Sequence, residues 1–530
     1  MTGVDRAVAI AAAAALTAPV LCGQGRGGQN WNTISADAQR TGWLRVETRI
    51  STATLAKPDA GGFQLLWKVK PENKPRELNT LTQPLILGNL ISHKGFKALA
   101  FFGGSDDIVY AYDYDLGKEY WHQRLNTAVT PRAATSIMCP GGLTAISRPT
   151  PLLQSAMPDL TPPARGGGAG RGPAPAPPAP AGAGRGPQPQ GGVMRASLPI
   201  FSAVWAISSG GMVHALNPHT GEDLRAPSRI VPAGANVVGS VHVNDTLYAA
   251  TSGGCANTAD GVWSLDVSGD ASSSAKHWDA GGAAIAGSAG FAIGLNNLVY
   301  VATGGGTSRY ASAVVALDSQ TLQPRDSFTA PGRSPFTSTP VAFRYGGRDL
   351  VAAATRDGRL YLLDGAALGG ADHGTALARS AVMSTLQDFS AGAVTTWQDP
   401  DDTRWLLVPT ARAIVAYKVV AGESFALQPA WTSRELVSPA PAIVLNDVVF
   451  ALSTGASRAP GGQMSAAERL QRSMPAVLYA LDAKTGKELW SSGRTITASV
   501  QGVGPSGQDG QVYVVAADGT LYAFGIPLEH

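Results

Sequence analysis

Few side chains in this sequence fall at the spacings that chemistry requires. The eight histidines are dispersed, and no His-Glu-x-x-His or other close ligand pair occurs. His214 and His219, five apart across a strand and a turn, read as surface residues. Cys139 precedes Pro140-Gly141 and Cys255 precedes Ala256-Asn257, so neither opens a Cys-x-x-Cys-His haem attachment. Gly304-Gly305-Gly306 is not followed by the Lys-Ser/Thr of a phosphate-binding loop. Asp106-Asp107 and Asp401-Asp402 are paired carboxylates in turn-like contexts and read as solvated loop residues. A net charge of +3 over 530 residues, with no Lys/Arg run interleaved with aromatics, excludes nucleic acid as an implied partner.

The elements that carry these residues repeat. Val477-Leu478-Tyr479 is an apolar strand, and it runs into Ala480-Leu481-Asp482-Ala483-Lys484-Thr485-Gly486-Lys487-Glu488-Leu489-Trp490. Ala111-Tyr112-Asp113 through Gly117 to Trp121 matches it, and Ala215-Leu216-Asn217 with Thr220-Gly221 is a third copy. Further copies centre on Asp266 and Asp318, and weaker ones on Leu362-Leu363-Asp364, Ala416-Tyr417-Lys418 and Ala523-Phe524-Gly525. Asp266 to Asp318 is 52 residues, Asp318 to Asp364 is 46, and Asp364 to Lys418 is 54, a period that marks propeller blades. Each unit reads as a four-stranded antiparallel sheet with the motif on the hairpin between its last two strands. There the Asp or Asn accepts turn N–H groups, the Gly supplies a positive φ, and the Trp lies against the adjacent blade. The docking residues expected on this basis are Trp67, Asp113, Gly117, Trp121, Asn217, Gly221, Asp266, Asp318, Asp364, Asp482, Gly486 and Trp490.

Eight units are counted, so the expected fold is all-β, an eight-bladed β-propeller over 62–530. The last unit stops after Leu521-Tyr522-Ala523-Phe524, before an outer strand can form, whereas Gly62-Phe63-Gln64-Leu65-Leu66-Trp67-Lys68-Val69 is an outer strand with nothing before it. The two ends are therefore expected to share the eighth blade, which removes exposed sheet edges. Composition agrees, with 63 Gly, 36 Pro and only 15% charged residues.

The Ala-x-Asp-x-x-Thr-Gly-x-x-x-Trp pattern resembles the tryptophan-docking repeat of the quinoprotein alcohol dehydrogenase-like (PQQ-like) propellers. Relatives of it occur in the propeller subunit of the outer-membrane β-barrel assembly machine. Asp37-Ala38-Gln39-Arg40-Thr41-Gly42-Trp43, followed by Leu66-Trp67-Lys68, is similar to the opening of secreted bacterial propellers of this kind. The resemblance implies a fold strongly and a function weakly. Thr355-Arg356-Asp357-Gly358 resembles the family's Arg-Asn-Gly strand, which would place Arg356 where an arginine contacts the quinone; an arginine on a hairpin is the plainer reading. Where the dehydrogenases carry a calcium-binding Asn, Thr303-Gly304 is followed here by Gly305, which offers a hard cation no side-chain oxygen. Gly306 to Val314 has no Asp or Glu to stand for the catalytic base, and adjacent cysteines are absent.

Residues 1–23 read as a secretory signal peptide, with lipid anchoring at Cys22 disfavoured by Leu21, and 24–61 as a lead-in segment. No transmembrane segment is expected. Cys139 and Cys255 permit one disulfide in an oxidising compartment, two buried free thiols being the alternative. Residues 162–192, built of Pro, Ala, Arg, Gly and Gln, read as a disordered loop in blade 2, and Ser465-Ala466-Ala467-Glu468 as the cap of a short helix within 456–475. The functional expectation is an exported, periplasmic or extracellular, monomeric propeller that binds a protein, peptide or small ligand without catalysis. The alternatives are a divergent dehydrogenase using PQQ and calcium, and an outer-membrane assembly scaffold.

Overall fold

Alternation along each strand decides how the chain is layered. In the fourth sheet, Leu298–Ala302 pairs with Ala313–Asp318 from Leu298↔Asp318 to Ala302↔Val314. Val299, Val301, Val315 and Leu317 point to one side, where they pack with Val241 and Tyr248. Tyr300, Ala302, Val314 and Ala316 point to the other and meet Val351, Ala353 and Tyr361. Both faces of the sheet are thus apolar, and each is buried by a neighbouring sheet, the requirement for stacking blades radially.

The computed structural model describes residues 30–527, apart from 58, 74–80, 93–94, 126–138, 140–141, 144, 153–201, 270–272, 385–389, 459–463 and 503. It is an eight-bladed β-propeller of four-stranded antiparallel sheets. The blades run, from first to last strand, Leu85–Ser92 to Lys118–Arg124, Ala145–Ser147 to Ser228–Arg229, Val237–Val243 to Lys276–Asp279, and Phe291–Ile293 to Pro324–Thr329. They continue with Val341–Tyr345 to Ala378–Arg379, Thr395–Gln398 to Ala426–Thr432, and Ile443–Leu445 to Glu488–Ser491. Blade 8 takes Ser506–Gln508, Gln511–Val515 and Leu521–Gly525 from the end of the chain and Gln64–Val69 from its beginning, paired from Gln64↔Gly525 to Val69↔Leu521. The ring closes as the repeat count expects.

Because the strands alternate in direction, the first-to-second and third-to-fourth hairpins of every blade emerge on one face, the hairpin face. The second-to-third turns and the links between blades emerge on the opposite, connection face. Ala466–Arg472 is a short helix on the connection face of blade 7, where Ser465 Oγ accepts from Glu468 N at 3.2 Å and Glu468 Oε2 accepts from Ser465 N at 2.9 Å. Residues 1–23, read as a signal peptide, with Cys22, and the 162–192 segment lie outside the described residues. Among the described residues no helix is long and apolar enough to cross a membrane.

Candidate functional site

The repeated motif builds a set of identical turns on the hairpin face. Asp482 Oδ1 accepts from Lys484 N at 3.0 Å and Thr485 N at 2.8 Å, and Asp318 Oδ1 from Gln320 N at 3.1 Å and Thr321 N at 2.8 Å. Asp113, Asn217, Asp266 and Asp364 cap their own turns in the same way. Hydrogen bonds from Arg325 and Thr321 hold the Asp318 carboxyl down at about 2. Gly117, Gly221 and Gly486 have φ of 62°, 76° and 71°.

Those glycines are also where tryptophans dock. A Cβ at Gly117 would stand 2.6 Å from the Trp67 ring, one at Gly221 2.7 Å from Trp121, and one at Gly486 2.5 Å from Trp431. Each indole Nε1–H donates into the same turn of the next blade: Trp67 to Tyr114 O at 2.7 Å, Trp121 to Pro218 O at 2.9 Å, Trp431 to Ala483 O at 3.0 Å. Trp490 has no such turn ahead of it, because blade 8 takes its outer strand from the other end of the chain. It packs instead edge-on to Phe63 at 4.8 Å and against Phe524 at 5.7 Å. Trp431 was not among the expected docking residues, since its own repeat, Ala416-Tyr417-Lys418, lacks the Asp and Gly; its partner Gly486 was the available signal.

The lead-in segment occupies the centre of the ring. Trp31 N donates to Ile86 O of blade 1 at 3.2 Å and to Gln508 Oε1 of blade 8 at 3.1 Å. Asn32 O accepts from Arg148 N, just past the first strand of blade 2, at 2.8 Å, and Thr33 Oγ1 donates to Ser240 O of blade 3 at 2.6 Å. Ala38 O then accepts from Ile293 N of blade 4 at 2.8 Å, Gln39 O from Ala342 N of blade 5 at 3.0 Å, Thr41 O from Thr396 N of blade 6 at 2.9 Å and Gly42 O from Val444 N of blade 7 at 2.8 Å. Trp43–Leu44 finally pairs in parallel with Val444 and Leu445. Thus the segment bonds to the innermost strand, or its extension, in every blade, and its backbone groups are satisfied far from water. Arg40 is fully buried, donating through Nε to Phe291 O at 2.8 Å and through Nη1 to Thr33 Oγ1 at 2.8 Å and Ile34 O at 2.7 Å. Burial pulls it down to about 9 against the opposing effect of Asp37. Asp37 is spent locally, accepting from Thr41 N at 3.0 Å, Thr41 Oγ1 at 2.6 Å and Arg45 Nη1 at 3.4 Å.

The residues weighed for cofactor chemistry lie on the connection face. Arg356 is exposed on the second-to-third turn of blade 5, its N–H donating to Pro335 O at 2.8 Å. Thr303 Oγ1 is buried and committed to the turn of blade 4, donating to Tyr310 O and accepting from Ala313 N. Among the described residues no three His, Cys, Asp or Glu groups come together to hold a metal ion, and Gly304, Gly305 and Gly306 after Thr303 carry no side-chain oxygen. Cys139, ahead of blade 2, is bonded to Cys255 in blade 3, with Cα atoms 5.6 Å apart. Two sequence readings are corrected. His214 is not at the surface but buried, with Nδ1 3.0 Å from Asp223 Oδ2, because its strand faces blade-to-blade packing. Asp107 is buried rather than solvated: it accepts from Ser209 N at 2.8 Å and from Ser209 Oγ, tying blade 1 to blade 2.

On the hairpin face a cleft of about 180 Å³ opens between blades 6 and 7, where the lead-in segment leaves the ring. Trp43, Trp397 and Pro400 give it an apolar wall, and Arg45, Thr52, Gln398, Asn446, Asp447, Asp482 and Lys484 its polar rim. Trp397 stacks on Trp405 with centroids 5.8 Å apart, and Lys418 Nζ lies 4.9 Å over Trp405. Arg45 Cζ is 4.9 Å from the Trp43 ring centre. Asp447 holds Thr52 N at 2.9 Å, and Lys484 Nζ reaches Asp401 Oδ2 at 2.5 Å.

This architecture is an eight-bladed β-propeller, a fold shared with quinoprotein alcohol dehydrogenases. Residues 428–526, from the outer strand of blade 6 to the third strand of blade 8, match the family model described as outer membrane protein assembly factor BamB. The quinohemoprotein alcohol dehydrogenase of Comamonas testosteroni superposes with a TM-score of 0.55 at 14% identity, over 95% of this chain and 81% of that one. A europium-containing methanol dehydrogenase gives 0.56 at 11% identity, over 94% and 98%. Quinohemoprotein alcohol dehydrogenase ADHIIG of Pseudomonas putida HK5 gives 0.54 at 12% identity, over 95% and 81%. At these identities the likeness is one of fold. No protein of curated function matches the sequence.

Proposed function

We propose that this chain is an exported, non-catalytic binding or scaffold propeller, its ligands met on the faces of the ring and not along its axis. The observation that carries the reading is the lead-in segment: Trp31–Leu44 fills the centre and is hydrogen-bonded to the inner edge of the blades all the way round. Support for the absence of quinone chemistry comes from Asp37 in the centre, which is committed to Thr41 and Arg45, and from the blade 4 turn on the connection face, which offers glycines in place of side-chain ligands. The Cys139–Cys255 bond supports residence in an oxidising compartment, and the match of blades 7 and 8 to the BamB model supports a scaffold role in the envelope.

Calorimetric titration of the mature protein with PQQ in the presence of calcium tests this reading. The expected result is no saturable heat, together with no dye-linked turnover of alcohols or sugars. Calcium-dependent PQQ binding that is lost in Arg356→Ala would overturn it in favour of a divergent quinoprotein dehydrogenase, the activity that the names of the structural neighbours carry.

A further inference from the structure

We infer that the connection face of blades 4 to 7 is a docking surface for an anionic lipid bilayer. This rests on the reading of the chain as a binding propeller whose ligands meet the faces of the ring, and it names the partner. The first observation is the charge on the turns and links of that half-ring, 303–312, 330–340, 355–359, 380–394, 410–413, 433–442, 454–476 and 492–505. Among their described residues stand ten arginines, no lysine and three carboxylates, those of Asp357, Glu435 and Glu468. The described turns and links of the other four blades, 70–84, 105–107, 139–144, 208–211, 230–236, 252–260, 280–290 and 516–520, carry the opposite sign. There Lys70 faces Glu72, Asp106, Asp107, Asp260 and Asp518. One half of a single face is thus basic and the other acidic, a field that orients the molecule towards an anionic partner.

Much of the basic charge is unspent. Arg359, Arg412 and Arg434 pair with Asp357, Glu435 and Glu488. Arg309, Arg333, Arg356, Arg472 and Arg494 are exposed, with no carboxylate at ion-pair distance among the described residues. The first three are joined across blades 4 and 5. Arg333 Nη2 donates to Ser308 O at 3.2 Å and to Ala311 O at 3.4 Å, on either side of Arg309, and Arg356 N donates to Pro335 O at 2.8 Å.

Apolar side chains stand among these cations. Five large ones are exposed among the described residues, and three of them, Val382, Val437 and Met474, lie on this half-face. Val437 and Met474 flank Gly455, whose N–H donates to Val437 O at 3.3 Å and whose carbonyl accepts from Met474 N at 2.8 Å. Val382 precedes Met383, whose N–H donates to Gly358 O, two residues from Arg356, at 2.7 Å. Half-buried Tyr310 lies beneath Arg309, whose Cζ is 4.5 Å from the ring centre, and a ring with a polar tip suits the headgroup level of a bilayer. The choice of arginine points to phosphate, since its planar fork makes two parallel bonds to phosphate oxygens where a lysine acts as a point charge. Cations spread over four blades need a partner as flat and wide as half the ring. Apolar side chains between them need one that is apolar beneath its charged layer. An anionic bilayer is both, whereas an acidic peptide crosses one or two blades and offers no apolar depth.

The test is co-sedimentation of the full mature chain with vesicles of phosphatidylcholine alone and of phosphatidylcholine mixed with phosphatidylglycerol. Binding is expected to the mixed vesicles only, and to fall as NaCl is added. Each guanidinium removed is expected to weaken it about fivefold, so that Arg309→Gln with Arg472→Gln binds about 25-fold more weakly at unchanged melting temperature. Lys118→Gln with Lys487→Gln takes the same charge from exposed positions on the hairpin face and is expected to bind as the parent does. Met474→Ser is expected to weaken binding at every salt concentration, because its contribution is apolar. No dependence on phosphatidylglycerol, or equal losses in the two double variants, would overturn the assignment. So would soluble poly-glutamate that binds the same arginines and displaces the vesicles, which would give the face to an acidic protein. Arg356 is left intact in these variants, so PQQ titrated into the same samples keeps the two readings apart. Quinone binding would sink the broader reading even with vesicles bound, and failure of the vesicles alone leaves the quinone result standing.

Discussion

The seams on either side of the closing blade are built differently from those across the ring. At the 8/1, 1/2 and 6/7 seams an indole from one blade lies on the glycine turn of the next and donates into it. At 7/8 Trp490 packs against Phe63 and Phe524. From blade 2 to blade 5 the same turns are met by polar groups. Arg225 Nη1 donates to Val267 O at 3.0 Å and Gly269 O at 2.9 Å, and Lys276 Nζ to Gln320 O at 2.6 Å. Tyr300 OH reaches Gly365 O at 3.0 Å. The blade that closes the ring has strands from both ends of the chain and no covalent hairpin to hold its outer strand. Large apolar area is concentrated near it, where a docked indole adds buried surface as well as one hydrogen bond. At the 2/3 and 3/4 seams a cation on a carbonyl takes the place of the indole, and at 4/5 a buried tyrosine hydroxyl does.

The strongest way to break this contrast is at the 6/7 seam. Trp431→Ala removes the indole that covers Gly486 together with its bond to Ala483 O, and leaves a cavity at the blade interface. The expected loss is about 3–4 kcal/mol of unfolding free energy, measured by denaturant titration. A loss below about 1 kcal/mol would mean that the indole seams hold the ring no better than the polar ones.

The docking motif is what sequence made legible, because a fixed turn needs the same residue types each time: a capping Asp, a positive-φ glycine, an indole to cover it. The same periodicity exposed the orphan strand Gln64–Val69 and hence the closure. The plug was not legible. Asp37, Gln39, Arg40 and Arg45 are polar residues, and they are buried only because eight inner strands converge on them. Nothing local to 30–45 encodes that convergence. The cleft escaped for a related reason: Trp43, Trp397, Asn446 and Asp482 come from three distant stretches, and only the threading of the lead-in segment joins them.

A pH titration sharpens the comparison from the polar side. His242 sits at the 2/3 seam with its ring 5.0 Å from Trp205, buried, both ring nitrogens without partners among the described residues. Burial drives it down from 6.5 to about 4, opposed by Asp245 and helped by the Arg225 charge. Between these values the unfolded chain binds the proton and the folded chain does not, so stability falls as pH falls. The loss is about 2 kcal/mol between about pH 7 and about pH 5. His242→Gln is expected to flatten that part of the stability profile, while the indole seams, which do not titrate, leave no trace in it. An unchanged slope in the variant would remove His242 as its source.

The smallest effect is expected at Arg225. Its guanidinium makes two bonds to carbonyls of the blade 3 turn and lies 5.1 Å over the Trp205 ring, on a part of the seam open to water. Exchanging it for Met keeps an aliphatic stem against the indole and deletes the charge over the ring and the two carbonyl contacts, which water replaces at the freed carbonyls. Arg225→Met is therefore expected to cost about 1 kcal/mol or less. Salt bears on the same contact: added NaCl screens the cation and is expected to narrow the gap between variant and parent. The Trp431→Ala deficit, being apolar, is expected to persist at high salt. Equal salt responses in the two variants would show that the seams differ in residue type and not in the physics that holds them.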